Sequence, residues 1–258
     1  MGFPNVRRAD RPEEVKQLEV RLAAAYQAAE AKKSTDQLKA FQTAVETSEA
    51  VMNRSLGALH SWVSEGGPLL VTFHSQVRSG ARLFLDNQWD EQRTSAENTI
   101  SPGYYENLNL SALCLDRQGM QHYGPYSVTL KTSLIALRTS VFEENPFLFN
   151  RRHTVISGDR CPPGFRASWE NRASLAACKL GSKINQNTTN GEFPGILLHK
   201  AATLTSEDDF VEVHTYGPLH QRTIQHVRGP IPPKRSDRAL WNQIKRRLKV
   251  LGASRDEV

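Results

Sequence analysis

The first third of the chain places apolar residues at the three- and four-residue spacing of amphipathic helices. Pro12 is suited to a first helical turn, and the two glutamates that follow it suit the positive end of a helix. Val15, Leu18, Leu22 and Tyr26 then recur on one side. This pattern predicts a helix that begins at Pro12 and buries its apolar stripe.

A second helix is predicted to begin near Ser34, because Ser34–Gln37 has the residue types of a capping box. The apolar positions on its expected buried side are Leu38, Phe41, Val45, Ala50, Val51 and Leu59. Gly66, Gly67 and Pro68 would end it, because glycine and proline interrupt helices. We expect this helical pair to brace the fold or to dock a partner, and we assign no chemistry to it.

After Pro68 the pattern changes to short apolar segments that are rich in β-forming residues and separated by turns. The segments predicted as strands are Leu69–His74, Leu110–Leu115, Tyr126–Leu130, Gly195–His199 and Phe210–Thr215. Two later helices are predicted at Ser168–Leu180 and Ser236–Leu251, the second of them amphipathic and basic. Helices and strands without regular β-α-β alternation are typical of an α+β protein.

We therefore expect an N-terminal helical region over residues 1–67 and a second domain over residues 68–258 that ends in the basic helix. The 258 residues include 38% hydrophobic and 23% charged residues, as in ordinary globular proteins. No apolar run approaches 18 residues, and no apolar stretch follows the N-terminal arginines, so we expect neither membrane contact nor a cleavable signal peptide. The expected compartment is the cytoplasm, and secretion by a route that reads no cleavable signal stays open.

The formal net charge of +6 is concentrated near the C-terminal end. The cationic residues there are Arg222, Arg228, Lys234, Arg235, Arg238, Lys245, Arg246, Arg247 and Lys249. Such a concentration favours an acidic partner, which could be a phosphorylated ligand, a nucleic acid or an acidic protein. The alternative is a solvated helix face.

The segment Phe210–Leu219 carries the main candidate for chemistry. If it is a strand, Phe210, Glu212 and His214 share one face, and Val211 and Val213 take the other. A carboxylate in the middle of a strand is costly to bury without a partner. Either this polar face lines a functional site, or the strand lies at a sheet edge with its polar face in water.

Val211–Leu219 resembles the final catalytic strand of the ADP-ribosyltransferase superfamily, in which the glutamate is followed by Gln or His two positions later and then by a glycine. Val71–Ser75 looks like that superfamily's first core strand, which ends in a His or Arg at the nicotinamide site. Tyr123–Lys131 looks like its middle strand, where an aromatic residue or a serine lines the pocket. The three segments occur in the family's order, and the resemblance covers roughly residues 69–227.

The chain also departs from the family pattern. It lacks a Ser-Thr-Ser triplet, and Phe210 stands two positions before Glu212, where related enzymes often carry Glu or Gln. Together with His74 in the first segment, these features place the chain nearer the His-Tyr-Glu branch than the Arg-Ser-Glu branch. They leave the acceptor residue open.

The resemblance implies a split, mixed or antiparallel sheet and an NAD-dependent mono-ADP-ribosyltransferase of the bacterial toxin or effector type. Glu212 would be the catalytic residue, because a carboxylate near the ribose stabilises the oxocarbenium-like transition state. The residues implied for binding NAD as substrate are His74, Tyr123, Tyr126, Ser127, Arg78 and Arg82. In these roles the histidine would donate a hydrogen bond to the ribose or diphosphate, a tyrosine would stack on nicotinamide, and the arginines would meet the diphosphate. The acceptor would be a protein or a nucleic acid, and an immunity or chaperone protein is a further partner that the resemblance allows.

Two other hypotheses stay open. A basic nucleic-acid-binding protein without catalysis would use Lys234–Lys249, and a structural or regulatory protein would dock through its N-terminal helices. The histidines at 214, 220 and 226 recur every six residues, which matches no metal-ligand spacing, so we expect no metal site. Rossmann and P-loop glycine motifs are missing from the sequence, so any phosphate must be bound by side chains.

Overall fold

A computed structural model of the protein describes residues 2–72, 74–75, 88–156, 158–200 and 208–258, with the backbone alone for residues 88–93. The helices of this part, numbered in chain order, are α1 (Pro4–Ala9), α2 (Pro12–Ala31), α3 (Thr35–Val45), α4 (Leu56–Val63), α5 (Gln88–Ile100), α6 (Thr132–Ile135), α7 (Pro146–Arg152), α8 (Arg172–Leu180), α9 (Phe193–Leu197) and α10 (Arg235–Val250). The strands are β1 (Glu49–Arg54), β2 (Leu108–Cys114), β3 (Tyr126–Leu130), β4 (Thr139–Phe142), β5 (Arg166–Ser168), β6 (Leu198–His199), β7 (Asp209–Phe210), β8 (Glu212–Tyr216), β9 (Ile224–Gly229) and β10 (Ser254–Glu257).

Within the described ranges, eight strands form one mixed sheet in the order β10-β9-β3-β1-β2-β8-β4-β5, and β6 and β7 form a second, two-stranded sheet. β10 runs parallel to β9, whereas the other neighbours in the large sheet are antiparallel. The protein is therefore an α+β protein, as the order of predicted helices and strands indicated.

One face of the large sheet is covered by helices. Alternate strand residues such as Met52, Leu113, Val128, Val213 and Val227 point to this face and are at most 3% exposed. The residues that cover them come from α2, α3, α4, α8 and α10, with α10 packed against α4. The large apolar area that this removes from water is the main stabilising contribution to the fold.

The predicted second helix is wrong in its extent. α3 ends at Val45, where the hydroxyls of Thr47 and Ser48 donate to the last helical carbonyls. Residues 49–54 form β1, which lies near the middle of the sheet with its inner four residues buried. Ala50, Val51 and Met52 form a short apolar run, which fits a buried strand as well as a buried helix. Periodicity therefore does not distinguish the two conformations here. The sheet therefore takes strands from both sides of the boundary predicted at residue 67.

Other predicted elements differ in detail. Leu69–His74 was predicted as a strand, but among its described residues Leu70 alone forms a bridge, to Leu219, and His74 and Ser75 are helical. The predicted strand Gly195–His199 is the end of α9 followed by the two residues of β6. Both segments are short and apolar, and their conformation depends on the neighbours that tertiary contacts supply.

The terminal and late helices agree with the pattern. α2 begins at Pro12, α8 covers the second part of the helix predicted at Ser168–Leu180, and α10 is within one residue of the predicted Ser236–Leu251. β3 has the predicted bounds. Long, strongly periodic segments are determined locally, which explains why these elements were predicted correctly.

A smaller apolar cluster lies on the opposite face of the sheet, and His153, which packs against it, should make the stability of the protein depend on pH. His153 lies between the rings of Phe149 and Phe165, with centroid distances of 4.3 and 4.6 Å. Burial lowers the pKa of His153 below its ordinary value of 6.5, although Glu143 opposes the shift. Below pH 6.5 the unfolded chain then takes up protons at this site more readily than the folded chain, so stability should fall on acidification from pH 7 to about 5.5.

The measurement is urea unfolding at pH 7 and pH 5.5. His153→Gln, which cannot titrate, should show a smaller loss of unfolding free energy over this interval than the parent. An equal loss in both proteins would show that His153 does not contribute to the pH dependence.

Candidate functional site

A cavity of about 510 Å³ opens where the two central strands of the sheet part. β1 pairs with β2 only through Glu49–Val51, and Met52–Arg54 then continue along β3 alone. β2 pairs with β8 through Leu108–Ala112. Both separated segments, Met52–Arg54 and Leu108–Ser111, line the cavity. Its volume is within the range of about 300–1,000 Å³ that is common for small-molecule sites.

Glu212 contributes a carboxylate to the cavity wall. Val211 and Val213 are fully buried in the main core, whereas Glu212 and His214 lie on the opposite face and are 4% exposed. Glu212 lines the cavity, and its Oε2 is 2.9 Å from Nε2 of His214. The predicted alternation along this strand is confirmed, and the alternative of an edge strand with a wet polar face is wrong, because β8 lies between β2 and β4.

His214 is itself held at its ring and at its backbone. Its ring stacks on Phe142 with a centroid distance of 5.9 Å, and its carbonyl oxygen accepts a hydrogen bond of 2.9 Å from Nδ2 of Asn5. A buried carboxylate is stabilised by a hydrogen-bonding partner of this kind. Glu212 therefore has a defined orientation toward the cavity.

The backbone that precedes β8 is anchored at β7 by a buried lysine. Nζ of Lys179 donates to the carbonyl of Phe210 at 2.7 Å and lies 2.5 Å from a carboxylate oxygen of Asp209. Burial lowers the pKa of Lys179, with Asp209 opposing the shift; burial also opposes ionisation of Asp209, but Lys179 and Lys183 hold its pKa below the usual value. The ion pair fixes the backbone two residues before Glu212.

His74 is connected to the cavity wall through a hydrogen bond with Glu97. Its Nε2 is 2.8 Å from Oε2 of Glu97, and Glu97 lines the cavity and is 8% exposed. Tyr105 packs edge to face on the His74 ring, with a centroid distance of 4.9 Å. The structure thus places the predicted histidine near the same cavity as Glu212, with Glu97 between it and the cavity.

Of the three predicted residues in the middle segment, Tyr123 lines the cavity and is 60% exposed. Tyr126 was expected at the NAD site but lies away from the cavity. Its hydroxyl donates to the carbonyl of Pro230, and its ring packs on Trp241 in the main core. Ser127 was also expected at the NAD site, but it is buried outside the cavity lining and donates to the carbonyl of Arg117. Because side chains alternate along a strand, Tyr126 points to the helix-covered face of the sheet. Tyr123 lies before β3 and is separated from Tyr126 by a turn.

The remaining two predicted residues, Arg78 and Arg82, lie outside the described residues. 

Several polar residues of the cavity wall were missed from the sequence. Among them are Asn53 on β1, Glu97 on α5 and Asn145 before α7. Asn53 accepts from the amide of Met120 and donates to the carbonyl of Gly124, so it holds the loop that carries Tyr123. Asn145 caps α7 by accepting from the amide of Phe147. An Asn before a proline was the sequence signal for that cap, whereas nothing local distinguished Glu97 from other helical glutamates.

The cysteines do not compete with Glu212 for a catalytic role. Cys114, Cys161 and Cys178 are free thiols, and the first two are buried. Burial raises the pKa of Cys114 and of Cys178 to about 11. A thiol that stays protonated at neutral pH is a poor nucleophile.

Two further observations concern the described part of the chain. No group of three or more His, Cys, Asp or Glu side chains there is arranged to hold a metal ion. None of its helices has both the length and the apolar character that crossing a membrane requires.

No protein-family model matches this chain, and no curated protein matches it.

Proposed function

We propose that the protein is an NAD-dependent mono-ADP-ribosyltransferase that transfers ADP-ribose to a protein or nucleic-acid acceptor. The observation that carries the proposal is the buried Glu212 carboxylate, which lines the cavity from the strand whose sequence resembles the catalytic strand of that superfamily. A carboxylate that is hydrogen-bonded on one side and open to a cavity on the other is suited to bind a ribose hydroxyl.

The form of the sheet supports the same proposal. The superfamily's core is a split sheet, and here β1 and β2 part after Val51, with the cavity between the separated segments. The wall of the cavity there carries polar side chains, among them Asn53, Asn109 and Ser111. An extended substrate with many hydrogen-bonding groups, such as a dinucleotide, matches that arrangement.

The proposed reaction breaks the bond between C1′ of the ribose and the nicotinamide nitrogen. Nicotinamide leaves with the bonding electron pair, and positive charge develops on the ribose ring. Glu212 stabilises that charge electrostatically in a site shielded from water. The acceptor's nucleophilic atom then forms the new bond to C1′ and loses a proton to solvent.

The surrounding residues have roles that follow from their positions. Tyr123 presents an exposed ring at the cavity and is the residue of the middle segment that remains a candidate for stacking on nicotinamide. His74 acts through Glu97, which its imidazole orients toward the cavity. His214 positions Glu212.

The test is incubation of the protein with NAD labelled in the adenylate part, with a cell lysate as the source of acceptors. We expect release of nicotinamide and transfer of label to a macromolecule, and thermal stabilisation by NAD without lysate. Saturation at a hundredfold the dissociation constant would add about 2.7 kcal/mol to the unfolding free energy. A protein that neither cleaves NAD nor is stabilised by it would contradict the proposal.

A further inference from the structure

The C-terminal helix α10 combines a buried apolar side with most of the formal charge of the protein. Trp241, Ile244 and Leu248 are at most 1% exposed and belong to the main core. The 16 residues of α10 also include six cationic side chains and one carboxylate, a formal charge of +5, whereas the whole chain carries +6. The charge is thus held on a rigid, well-packed element.

Two of the six cations have partners within the protein. Nζ of Lys245 lies 2.8 Å from Oε1 of Glu257. Arg247 donates to the carbonyl of Val63 and lies 3.5 Å from Glu65. These two side chains attach α10 to the adjoining strand and helix, so their presence is explained by the fold.

The other four cations form what we term the cationic row, which comprises Arg235, Arg238, Arg246 and Lys249. All four are exposed, and none of their side chains has an ion pair or hydrogen bond with another residue in the part of the chain that the structure describes. With the exposed Asn242 between them, they follow one another at intervals of three or four residues and therefore share one side of the helix. At about 1.5 Å per residue, the row is about 21 Å long.

The four side chains repel one another, and no partner among the described residues neutralises them. Like charges three and four residues apart on a helix repel one another by a few tenths of a kcal/mol per pair. Nothing in the described packing offsets that repulsion, whereas an external polyanion would. The row is therefore matched to a partner with regularly repeated negative charge.

We propose that the cationic row binds the phosphodiester backbone of duplex DNA. Arginine, which supplies three of the four positions, matches phosphate with a planar, bidentate donor group. The centre of a protein–protein interface is depleted of charged residues, whereas contacts to phosphates are made largely by Arg and Lys. The row thus fits a nucleic-acid backbone better than an acidic protein.

The lack of an exposed aromatic ring on α10 favours a duplex over a single strand. Proteins that bind single strands stack bases on aromatic side chains, but Trp241, the aromatic residue of α10, is buried against Tyr126. The major groove of B-form DNA is about 12 Å wide and admits a helix, whereas that of A-form RNA is narrow and deep. The inference does not depend on the proposed transferase activity, because it uses no residue of the cavity.

The test is the fluorescence anisotropy of a labelled 20-base-pair DNA duplex, titrated with the full chain at several salt concentrations without NAD. Four phosphate contacts predict a slope of about −3.6 for log K against log salt, or about 150-fold weaker binding when salt rises fourfold. A quadruple variant with glutamine at all four positions of the row should bind on the order of 100-fold more weakly at low salt, with a slope near zero.

The matched control removes the same number of charges elsewhere. It carries glutamine at four exposed cations outside α10, namely Arg7, Lys16, Lys33 and Lys39. We expect this control to bind within about threefold of the parent, because nonspecific reduction of net charge is a weaker effect than loss of direct contacts. Circular dichroism would verify that both variants are folded.

Three results would overturn the inference. The first is unchanged DNA binding by the α10 variant, and the second is an equal loss in the control. The third is tighter binding of the parent to an RNA duplex or a polyglutamate peptide than to DNA.

Discussion

Glu212→Gln is expected to release nicotinamide from NAD at least about 100-fold more slowly than the parent protein. Gln has almost the same size and retains a hydrogen-bonding oxygen, but it lacks the charge that stabilises the developing oxocarbenium ion. Loss of one electrostatic stabiliser of a transition state costs about 2.7–4 kcal/mol of barrier. The measurement is the initial rate of nicotinamide release at saturating NAD, with NAD affinity determined separately.

Two further variants separate catalysis from folding. Glu143→Gln removes another buried carboxylate, one that pairs with Arg21 outside the cavity lining, and should keep the parent rate below its melting temperature. His214→Gln retains a side chain able to hydrogen-bond Glu212 and should keep more activity than His214→Ala. A Glu212→Gln protein that cleaves NAD at the parent rate would exclude the proposed site.

Arg166→Met is expected to lower the unfolding free energy by about 3–5 kcal/mol. Nε of Arg166 lies 3.1 Å from Oε1 of Glu14, and both side chains are at most 5% exposed. Burial raises the pKa of Glu14, and the charge of Arg166 opposes that rise. Removal of the arginine would leave a buried carboxylate at the point where α2 meets β5, without its main counter-charge. The measurement is urea unfolding at pH 7.

A double variant tests the cause of that loss. If the uncompensated charge is responsible, Glu14→Gln combined with Arg166→Met should recover part of the stability. Arg11→Met provides the exposed counterpart, because Arg11 pairs with Glu13 and the two side chains are 50% and 59% exposed; it should cost about 1 kcal/mol or less. A loss of less than about 1 kcal/mol in Arg166→Met would show that the pair is not important for stability.

Several properties follow from local sequence because their causes lie within one element. The alternation along Val211–His214 separates the two valines from Glu212 and His214, and the structure has that separation. α10 has the predicted bounds within one residue because its apolar residues recur at helical spacing from Leu240 to Leu251. Both patterns are long enough for the period of the backbone to be visible in the sequence.

Tertiary contacts decided the features that local patterns leave ambiguous. Residues 49–54 are a strand because β2 pairs with residues 49–51 and β3 pairs with residues 51–54. Tyr126 faces the core because of the register of β3 within the sheet, although its residue type and neighbours suited a pocket.

At the cavity, too, some features follow from the sequence and others from the tertiary structure. The sequence by itself determined that a carboxylate and an imidazole share one face of a late strand, since side-chain direction alternates in any strand. Only the tertiary structure decided that the face meets a cavity, that Glu97 separates His74 from that cavity, and that four cations of α10 have no partner among the described residues. These relations join residues far apart in the chain, and their distances depend on how the elements pack rather than on any local period.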